Sequence, residues 1–299
     1  MTDASRAAFR AGLASVGVGV VVLALKSVAA LRTQSLALLA DAAESVVNVV
    51  AALIATASIR YGGRPADANH PFGHGKVEYL SAGIEGALVV LAAFVVAFEA
   101  MGRFGQVPSL PNLGIGLGIS IVATGANAIL ARHLLRIGRL RHSPALVADA
   151  LHVRSDVATS LGVYGGFALA WVTGYWPFDA LLAFGVSFHI LIAGLRAVRH
   201  SVSGLMDEAL PSLELDSIES RLRREGPPVV EFHDLRTRRV GAQVFIEFHL
   251  VISRYALVYE AHAICDRVEA DLGLLFPGAR VTIHVEPEGE ARRPAAVSG

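Results

Sequence analysis

The chain has 299 residues, of which 54% are hydrophobic and 17% are charged, and its formal net charge is zero. A mean hydropathy of +0.53 is typical of a membrane protein with a soluble portion, and the balanced charge does not indicate nucleic acid as a partner. The single cysteine, Cys265, excludes an intrachain disulfide framework and a zinc site built from several cysteines.

Six apolar stretches occupy the first two thirds of the chain, at roughly 10–31, 35–60, 78–102, 112–135, 144–173 and 178–200. Each is long enough to cross the hydrocarbon core of a bilayer, which takes about 20 residues in a helix. The polar N-terminus leads into the first stretch without a small-residue cleavage site, which indicates an uncleaved first span. We therefore expect an α-helical membrane domain with six transmembrane helices over residues 1–207.

Basic side chains concentrate on one side of the predicted spans. That side carries the N-terminus, the segments after the second and fourth spans and the segment after the sixth, whereas the other side has Arg32 and Arg103. Because cytoplasmic loops carry the excess of Lys and Arg, we expect both termini in the cytoplasm. The predicted location is the plasma (inner) membrane, crossed several times.

A soluble domain is predicted for residues 208–290, where the apolar runs shorten. Helical and alternating patterns indicate a helix, two strands, a helix and a strand, at Leu213–Arg224, Val229–Arg238, Gln243–Ile252, Leu257–Leu275 and Arg280–Val285. This order is typical of a cytoplasmic α+β ferredoxin-like (αββαβ) domain. Residues 291–299 have the composition of a disordered tail.

Polar residues recur at matched helical spacing in the second and fifth spans. The segments ADAAESVVN and ADALHVRSD place Glu44 with Asn48, and His152 with Asp156, four residues apart on one face of each helix. Two such helices facing each other would supply four ligands to a divalent metal ion inside the bilayer, where polar groups are costly and usually functional. Hydrogen bonding between helices is the alternative interpretation.

Other charged residues of the spans admit more than one role. Asp41 and Asp149 lie one turn before the two pairs, where they would support the ligands or pair across the helix bundle. Both interpretations stay open. Arg154 follows His152 by two residues, and we expect it to pair with an acid inside the membrane, such as Glu85 or Asp149.

Two further histidine groups lie outside the spans. The loop after the second span contains Asp67, His70 and His74 between prolines and glycines, a set that can bind a divalent ion with an open position. The soluble domain carries a larger set, in which His284 and Glu286 share one face of a strand: His233, His249, His262, His284 and Glu286. These would form metal sites, across a dimer interface for the second set, unless they are idle surface residues.

The whole arrangement resembles the cation diffusion facilitator family of divalent metal cation/proton antiporters. The resemblance covers nearly the full chain and is carried by SLALLADAAES in the second span, HPFGHGKVE in the following loop, ADALHVRSD in the fifth span and the soluble tail domain. It implies a homodimer that exchanges cytoplasmic metal for protons, with metal as substrate and structural ligand and with no organic cofactor.

The resemblance also implies roles for individual residues. Glu44, Asn48, His152 and Asp156 match the transport-site positions, and Asp67, His70 and His74 match the family's loop site. The five residues of the soluble domain match its binuclear site. Lys76 and Asp207 match a charge pair that ties the membrane domain to the tail domain.

The second span departs from the pattern of zinc-transporting relatives, which carry Asp or His and then Asp where this chain has Glu44 and Asn48. Asn48 coordinates through a neutral oxygen and does not titrate, so metal identity and proton stoichiometry are open. Zinc is favoured, and Mn²⁺, Fe²⁺, Co²⁺ and Ni²⁺ are also admitted.

Two other classes of protein are alternatives to an exporter. A membrane metal sensor or receptor would bind metal without moving it, and it has no need for ligands in the middle of the membrane. A membrane metalloenzyme is less favoured, because the chain has no HExxH motif and no nucleophile paired with a base. We therefore expect a transporter and not an enzyme.

Overall fold

The computed structural model describes residues 3–33, 36–103, 113–174 and 177–289. The chain divides into two compact units, Met1–Leu205 and Met206–Gly299. This division falls two residues before the boundary expected from the sequence. The predicted tail, 291–299, lies outside the described residues.

The first unit consists, in its described part, of six long α-helices that coincide closely with the predicted apolar stretches. They are α1 (Asp3–Thr33), α2 (Leu36–Gly62), α3 (Lys76–Arg103), α4 (Leu113–Leu140), α5 (Pro144–Thr173) and α6 (Pro177–Leu205). Within the described residues, α1, α2, α3 and α6 contain segments that are long and apolar enough to cross a membrane. Four candidate spans are thus found where the sequence predicted six.

Small residues let the helices of this unit approach closely. Helix α3 packs mainly against α6, and a side chain added at Gly83 would meet Ser201, while one added at Gly194 would meet Val90. Close approach through glycine is the usual way for helices to associate in lipid, where no hydrophobic force drives them together. Helix α5 packs against α4, α6, α3 and α2, so residues on its different faces are surrounded by other helices.

The start of α5 is set by local chemistry. Ser143 is the N-cap residue and its hydroxyl accepts a hydrogen bond from the backbone N–H of Leu146, while Pro144 occupies the first turn. The same hydroxyl donates to the Glu78 carboxylate in the first turn of α3. This junction fixes the beginnings of α3 and α5 at one level.

The second unit has the element order predicted from the sequence. It consists of α7 (Ser212–Leu222), β1 (Val229–Val240), β2 (Gln243–Ile252), α8 (Val258–Leu275) and β3 (Arg280–Pro287). The strands form one sheet in the order β1-β2-β3, antiparallel between β1 and β2 and parallel between β2 and β3. The assignment to the ferredoxin-like folds stays a prediction.

The core of this unit lies between the sheet and the two helices. Phe248 and Leu250 on the central strand are buried together with Ile218 of α7 and with Ile264 and Leu272 of α8. Gly241, at the predicted turn between the first two strands, has a φ of 60°, a left-handed conformation that glycine adopts without strain. The register of the sheet follows from this turn, and it decides which side chains meet across the strands.

Candidate metal centres

The first unit, Met1–Leu205, is the membrane unit. Its helices α2 and α5 bring together Asn48, His152 and Asp156. The Asn48 Nδ2 donates to Asp156 Oδ2 over 2.6 Å, and the Asn48 Oδ1 lies 2.8 Å from His152 Nε2. His152 is buried, with 5% of its surface exposed, and the other two side chains are half-buried. The structure thus brings together three of the four residues expected at the transport site.

The hydrogen bonds indicate which ring nitrogen of His152 carries a proton in this arrangement. The Asn48 amide nitrogen faces the Asp156 carboxylate, which accepts, so the amide oxygen faces the imidazole. An amide oxygen only accepts, and His152 must therefore donate from Nε2. When the three side chains are hydrogen-bonded to one another in this way, His152 Nε2, the nitrogen that would bind a metal ion, carries a proton.

The side chains of Asp41 and Glu44 lie outside the described residues, so their expected roles stay predictions. Asp149 is described and is fully buried, with 2% of its surface exposed. It lies one helical turn before His152 and accepts a hydrogen bond from Ser15 of α1. Its carboxylate is thus held by α1 as well as by its own helix.

The expected pairing of Arg154 is wrong. The Arg154 side chain is exposed, and no salt bridge joins it to Glu85 or Asp149 in the described part of the chain. Arg154 is two residues from His152, so on a helix it points about 200° away from it and leaves the buried face. Sequence spacing alone did not reveal that both acids face inward.

The loop between α2 and α3 brings Asp67, His70 and His74 into one group, with one ligand atom of each within 4.8 Å of the others. Asp67 lies 3.3 Å from His70 Nδ1 through one oxygen and 3.2 Å from His74 Nε2 through the other. His74 is buried and packs edge-on against the ring of Tyr61, whereas Asp67 and His70 are exposed. One imidazole is therefore held rigidly and two ligands remain open to solvent.

Backbone geometry prepares this loop for a cation. The backbone N–H groups of Asn69 and His70 donate to the Asp67 carboxylate at 3.0 and 2.7 Å. The bond from His70 is the largest cause that holds the pKa of Asp67 below its ordinary value of 3.8, and the neighbouring imidazoles act in the same direction. Asp67 is consequently an ionised ligand at any pH near neutrality.

The second unit, Met206–Gly299, is the soluble unit. A row of three histidines crosses its sheet. His233 on β1 is paired in register with His249 on β2, which is paired with His284 on β3. Neighbouring rings have centroids 5.2 and 4.7 Å apart. Three imidazoles from three strands therefore line one face of the sheet.

Glu286 joins this row. Its carboxylate lies 2.8 Å from His249 Nδ1 through one oxygen and 3.3 Å from His233 Nε2 through the other, and His284 Nε2 lies 3.7 Å away. His233, His249 and Glu286 each offer a ligand atom within 4.8 Å of the others. One carboxylate bridges two imidazoles, a donor set that suits zinc.

Two acids beside this row were missed from the sequence. Glu231 lies 3.6 Å from His233 Nδ1, and Asp234 lies 3.8 Å from His249 Nε2. Asp234 has a φ of 52° where the strand pairing is irregular, between His233 and Arg236. Strict alternation would point Asp234 to the opposite face, so only the irregularity brings it near the histidines.

The remaining expected residues lie elsewhere. His262 is exposed on α8, 3.9 Å from Asp266 of the same helix, and does not belong to the described His233, His249 and Glu286 group. The Lys76 ammonium group donates to the Leu205 carbonyl within the first unit, and Asp207 accepts from Arg238 within the second. The expected charge pair between Lys76 and Asp207 stays a prediction.

Known proteins match both units. Residues 12–206 match the family profile described as the cation efflux transmembrane domain, and residues 210–288 match the cation efflux protein, cytoplasmic domain. An uncharacterized transporter of Synechocystis sp. is 38% identical over 273 residues, 91% of this chain and 88% of the relative. The cation-efflux pump FieF of Yersinia pestis is 35% identical over 277 residues, 93% of this chain and 92% of the relative.

One similar solved structure is the metal-bound C-terminal domain of the CzcD transporter from Thermotoga maritima. It is 32% identical to this chain, and the match covers 28% of this chain and 100% of that chain with a TM-score of 0.25.

Proposed function

We propose that this chain, which belongs to the cation diffusion facilitator family, exports a divalent metal ion from the cytoplasm in exchange for protons, with zinc as the favoured substrate. The family is one of membrane transporters for divalent metal cations and not of enzymes, and the soluble unit is its dimerisation domain. The choice of metal, the exchange for protons and the homodimer are the parts we propose.

The observation that carries the proposal is the convergence of Asn48, His152 and Asp156 from two helices of the membrane unit. These donors are an imidazole, an amide and a carboxylate, which a first-row divalent ion accepts. We assign Glu44 as the fourth ligand, since it precedes Asn48 by one turn. Two carboxylates around one divalent ion give a neutral site when His152 is neutral.

Exchange between metal and proton follows from the state of His152. With Asn48 held by Asp156, the His152 Nε2 carries the proton that the Asn48 oxygen accepts. A metal ion needs the same nitrogen without that proton. A neutral imidazole can shift this proton to Nδ1, so net exchange requires the doubly protonated imidazolium, which gives up one proton as the metal ion binds Nε2. A proton gradient directed inward would then favour release of the metal to the outside.

We propose six transmembrane helices, α1 to α6, in the plasma (inner) membrane with both termini in the cytoplasm. The excess of arginine and lysine in the segments after α2, α4 and α6 supports this orientation. Alternating access would come from rocking of the helices that carry the cluster, so that it opens to one side and then to the other. The soluble unit would be a ferredoxin-like domain in the cytoplasm.

The two other groups would bind metal ions that are not transported. Asp67, His70 and His74 would form a loop site at the cytoplasmic end of α2 and α3. His233, His249, His284 and Glu286 would form a structural site in the soluble domain, with His262 supplied from the partner of a homodimer. Lys76 and Asp207 would tie the two units together.

Metal flux into proteoliposomes tests the proposal. Purified protein is reconstituted in vesicles with an imposed pH gradient, and uptake of Zn²⁺ is followed with a trapped fluorescent indicator. We expect uptake that depends on the gradient, and Asp156→Ala should abolish it while the dimer remains folded. Asp216→Ala, the same change at an exposed position of α7, is the matched control and should keep normal flux. Absence of gradient-driven uptake by the unaltered protein would refute the proposal.

The same vesicles settle the choice of metal. Uptake of Zn²⁺ is measured in competition with Mn²⁺, Fe²⁺, Co²⁺ or Ni²⁺, each at equal concentration outside. We expect each of the other ions to lower Zn²⁺ uptake only weakly, since His152 is the softest ligand of the cluster and favours Zn²⁺. Stronger competition by another ion would reassign the substrate without affecting the transport mechanism.

A further inference from the structure

Two carboxylates outside the proposed transport cluster are buried in the membrane unit. Glu85 on α3 and Asp149 on α5 have 1% and 2% of their surface exposed. One oxygen of Glu85 lies 3.4 Å from the Ser81 hydroxyl, and Asp149 accepts a hydrogen bond from Ser15. The second oxygen of each, Oε2 and Oδ2, has no hydrogen-bond partner among the described residues.

The helix geometry places the two carboxylates at a similar level along α3 and α5. Glu78 and Ser143 are in contact at the beginnings of α3 and α5. Glu85 follows Glu78 by seven residues, two turns along the same face, and Asp149 follows Ser143 by six. At 1.5 Å per residue both lie about 10 Å further along helices that start together, and the charge on Asp149 acts on the Glu85 carboxyl.

No cationic side chain of the described residues forms a salt bridge with either acid, and Arg154 is exposed. Two ionised carboxylates buried in this way need a compensating positive charge, because removing an ionised carboxylate from water is costly. Two protons would neutralise the pair but would leave the two carboxyl groups unlinked, whereas one divalent ion balances both charges and joins them. The two unpartnered oxygens, Glu85 Oε2 and Asp149 Oδ2, would be that ion's direct ligands.

We propose that Glu85 and Asp149 form a second divalent-cation site in the membrane unit, one helical turn before the His152 cluster. Its donors are carboxylate and hydroxyl oxygens from three helices, with no imidazole. Such a set suits hard ions of the Mn²⁺ and Mg²⁺ kind better than zinc. The inference rests on the proposed function only in assuming that divalent ions enter this helix bundle.

Mn²⁺ binding by the full chain in lipid nanodiscs tests the site. Bound ions per protomer are counted by equilibrium dialysis with Mn²⁺ as the probe. We expect Glu85→Gln, which keeps the size of the side chain and removes its charge, to bind one Mn²⁺ fewer than the unaltered protein. His152→Ala should lose a different ion, so the double variant should lose two. Glu99→Gln, the same substitution at an exposed position of α3, should bind the full number.

A full number of Mn²⁺ ions in Glu85→Gln would overturn the proposal, and the pair would then hold protons only. A second measurement does not depend on the variant folding. Crystals of the unaltered protein grown with Mn²⁺ should show an anomalous peak between Glu85 and Asp149, and a bare site with Mn²⁺ bound elsewhere would also overturn the proposal. Failure of the transport proposal would appear instead as absent flux in vesicles, with Mn²⁺ binding at Glu85 unaffected.

Discussion

The membrane cluster and the soluble cluster both join histidine to oxygen ligands, but they are built differently. Asn48, His152 and Asp156 come from two helices, and the hydrogen bonds from His152 and to Asp156 both use the amide of Asn48. In the soluble unit, three histidines come from three strands and one carboxylate, Glu286, bridges two of them. The first cluster is centred on a neutral group and the second on a charge.

This difference bears on what each cluster does with a metal ion. The neutral Asn48 amide hydrogen-bonds both His152 and Asp156, so the cluster is stable without a metal ion. An exchanger must pass through such a metal-free state after it has released the metal ion. A carboxylate between imidazoles attracts a cation and holds it, which suits a structural site. On the proposed function, the membrane cluster would bind metal reversibly and the soluble cluster would bind it stably.

The largest expected effect comes from removing one histidine at each cluster. His152→Ala should lower Zn²⁺ flux in proteoliposomes by more than about 100-fold, since even residues that only support a metal ligand contribute roughly 10- to 100-fold. His249→Ala should lower the flux far less, because its cluster does not carry the transported ion. Equal loss of flux in both variants would remove the distinction between the two clusters.

Replacing the Asn48 amide by a carboxylate should make the membrane cluster resemble the soluble cluster, which is centred on a charge. Asn48→Asp adds a carboxylate between His152 and Asp156, which raises affinity for a divalent ion by about tenfold if the added charge contributes about 1.4 kcal/mol. It also adds a group that takes up a proton, so flux should depend more steeply on pH. Affinity is measured by Zn²⁺ competition, and Ser220→Asp, which adds a carboxylate at an exposed position of α7 away from the proposed metal sites, is the control. Unchanged affinity and pH dependence would show that Asn48 is not a ligand.

Removing the bridging charge tests the second cluster alone. Glu286→Gln should weaken Zn²⁺ binding to the soluble unit by roughly tenfold or more, because the imidazoles lose the carboxylate between them. Glu288→Gln, an exposed glutamate two residues further on, should bind as the unaltered protein does. Binding to the full chain is followed by calorimetry, and a parallel loss of transport at saturating metal would argue against a purely structural role.

The loop site should respond to pH in a defined way. The folded-state pKa of Asp67 lies below its ordinary value of 3.8, mainly because the His70 backbone N–H bonds the carboxylate. The stabilisation from the ionised group is therefore present above the ordinary pKa and is lost only as the pH falls through the lower folded value. Asp67→Asn should weaken Zn²⁺ binding to the loop by the same factor at pH 7 and pH 5. A factor that shrinks between these pH values would show that Asp67 is already protonated there.

The smallest effect concerns Cys265 on α8. Burial, followed by the charges of Glu269 and Asp266, raises the pKa of this thiol, so the reactive thiolate is scarce near neutrality. Iodoacetamide at pH 8 should label it more slowly in the folded protein than in urea, measured by mass spectrometry. His152→Ala should leave this rate unchanged, since its effect is confined to the membrane unit.

Much of the candidate chemistry could be predicted because it is local in sequence. The spacing of His152 and Asp156 places both on one helix face whatever surrounds them, and period-two alternation places His284 and Glu286 on one strand face. The histidines and aspartate of the loop also lie close because the chain between them is short and bent by proline and glycine. The positions of these groups depend only on residues that are close in sequence, which is why they could be predicted.

Other features depended on pairing across the chain. The row of His233, His249 and His284 requires the register of two strand pairs, one antiparallel and one parallel. The position of Asp234 depends on an irregularity within β1, and the exposure of Arg154 on how α5 is surrounded. No short segment contains this information, so the pairing expected for Arg154 was wrong and Asp234 was missed.

The sequence by itself determined that this chain carries polar pairs in apolar helices, a histidine loop and a soluble domain of αββαβ order, because hydrophobic periodicity and turn residues act over a few neighbours. Only the tertiary structure decided that Asn48 bonds both His152 and Asp156, more than 100 positions away, and that Glu85 and Asp149 share one buried level. Such contacts are set by the close approach of whole helices, which depends on the packing of many small residues at once.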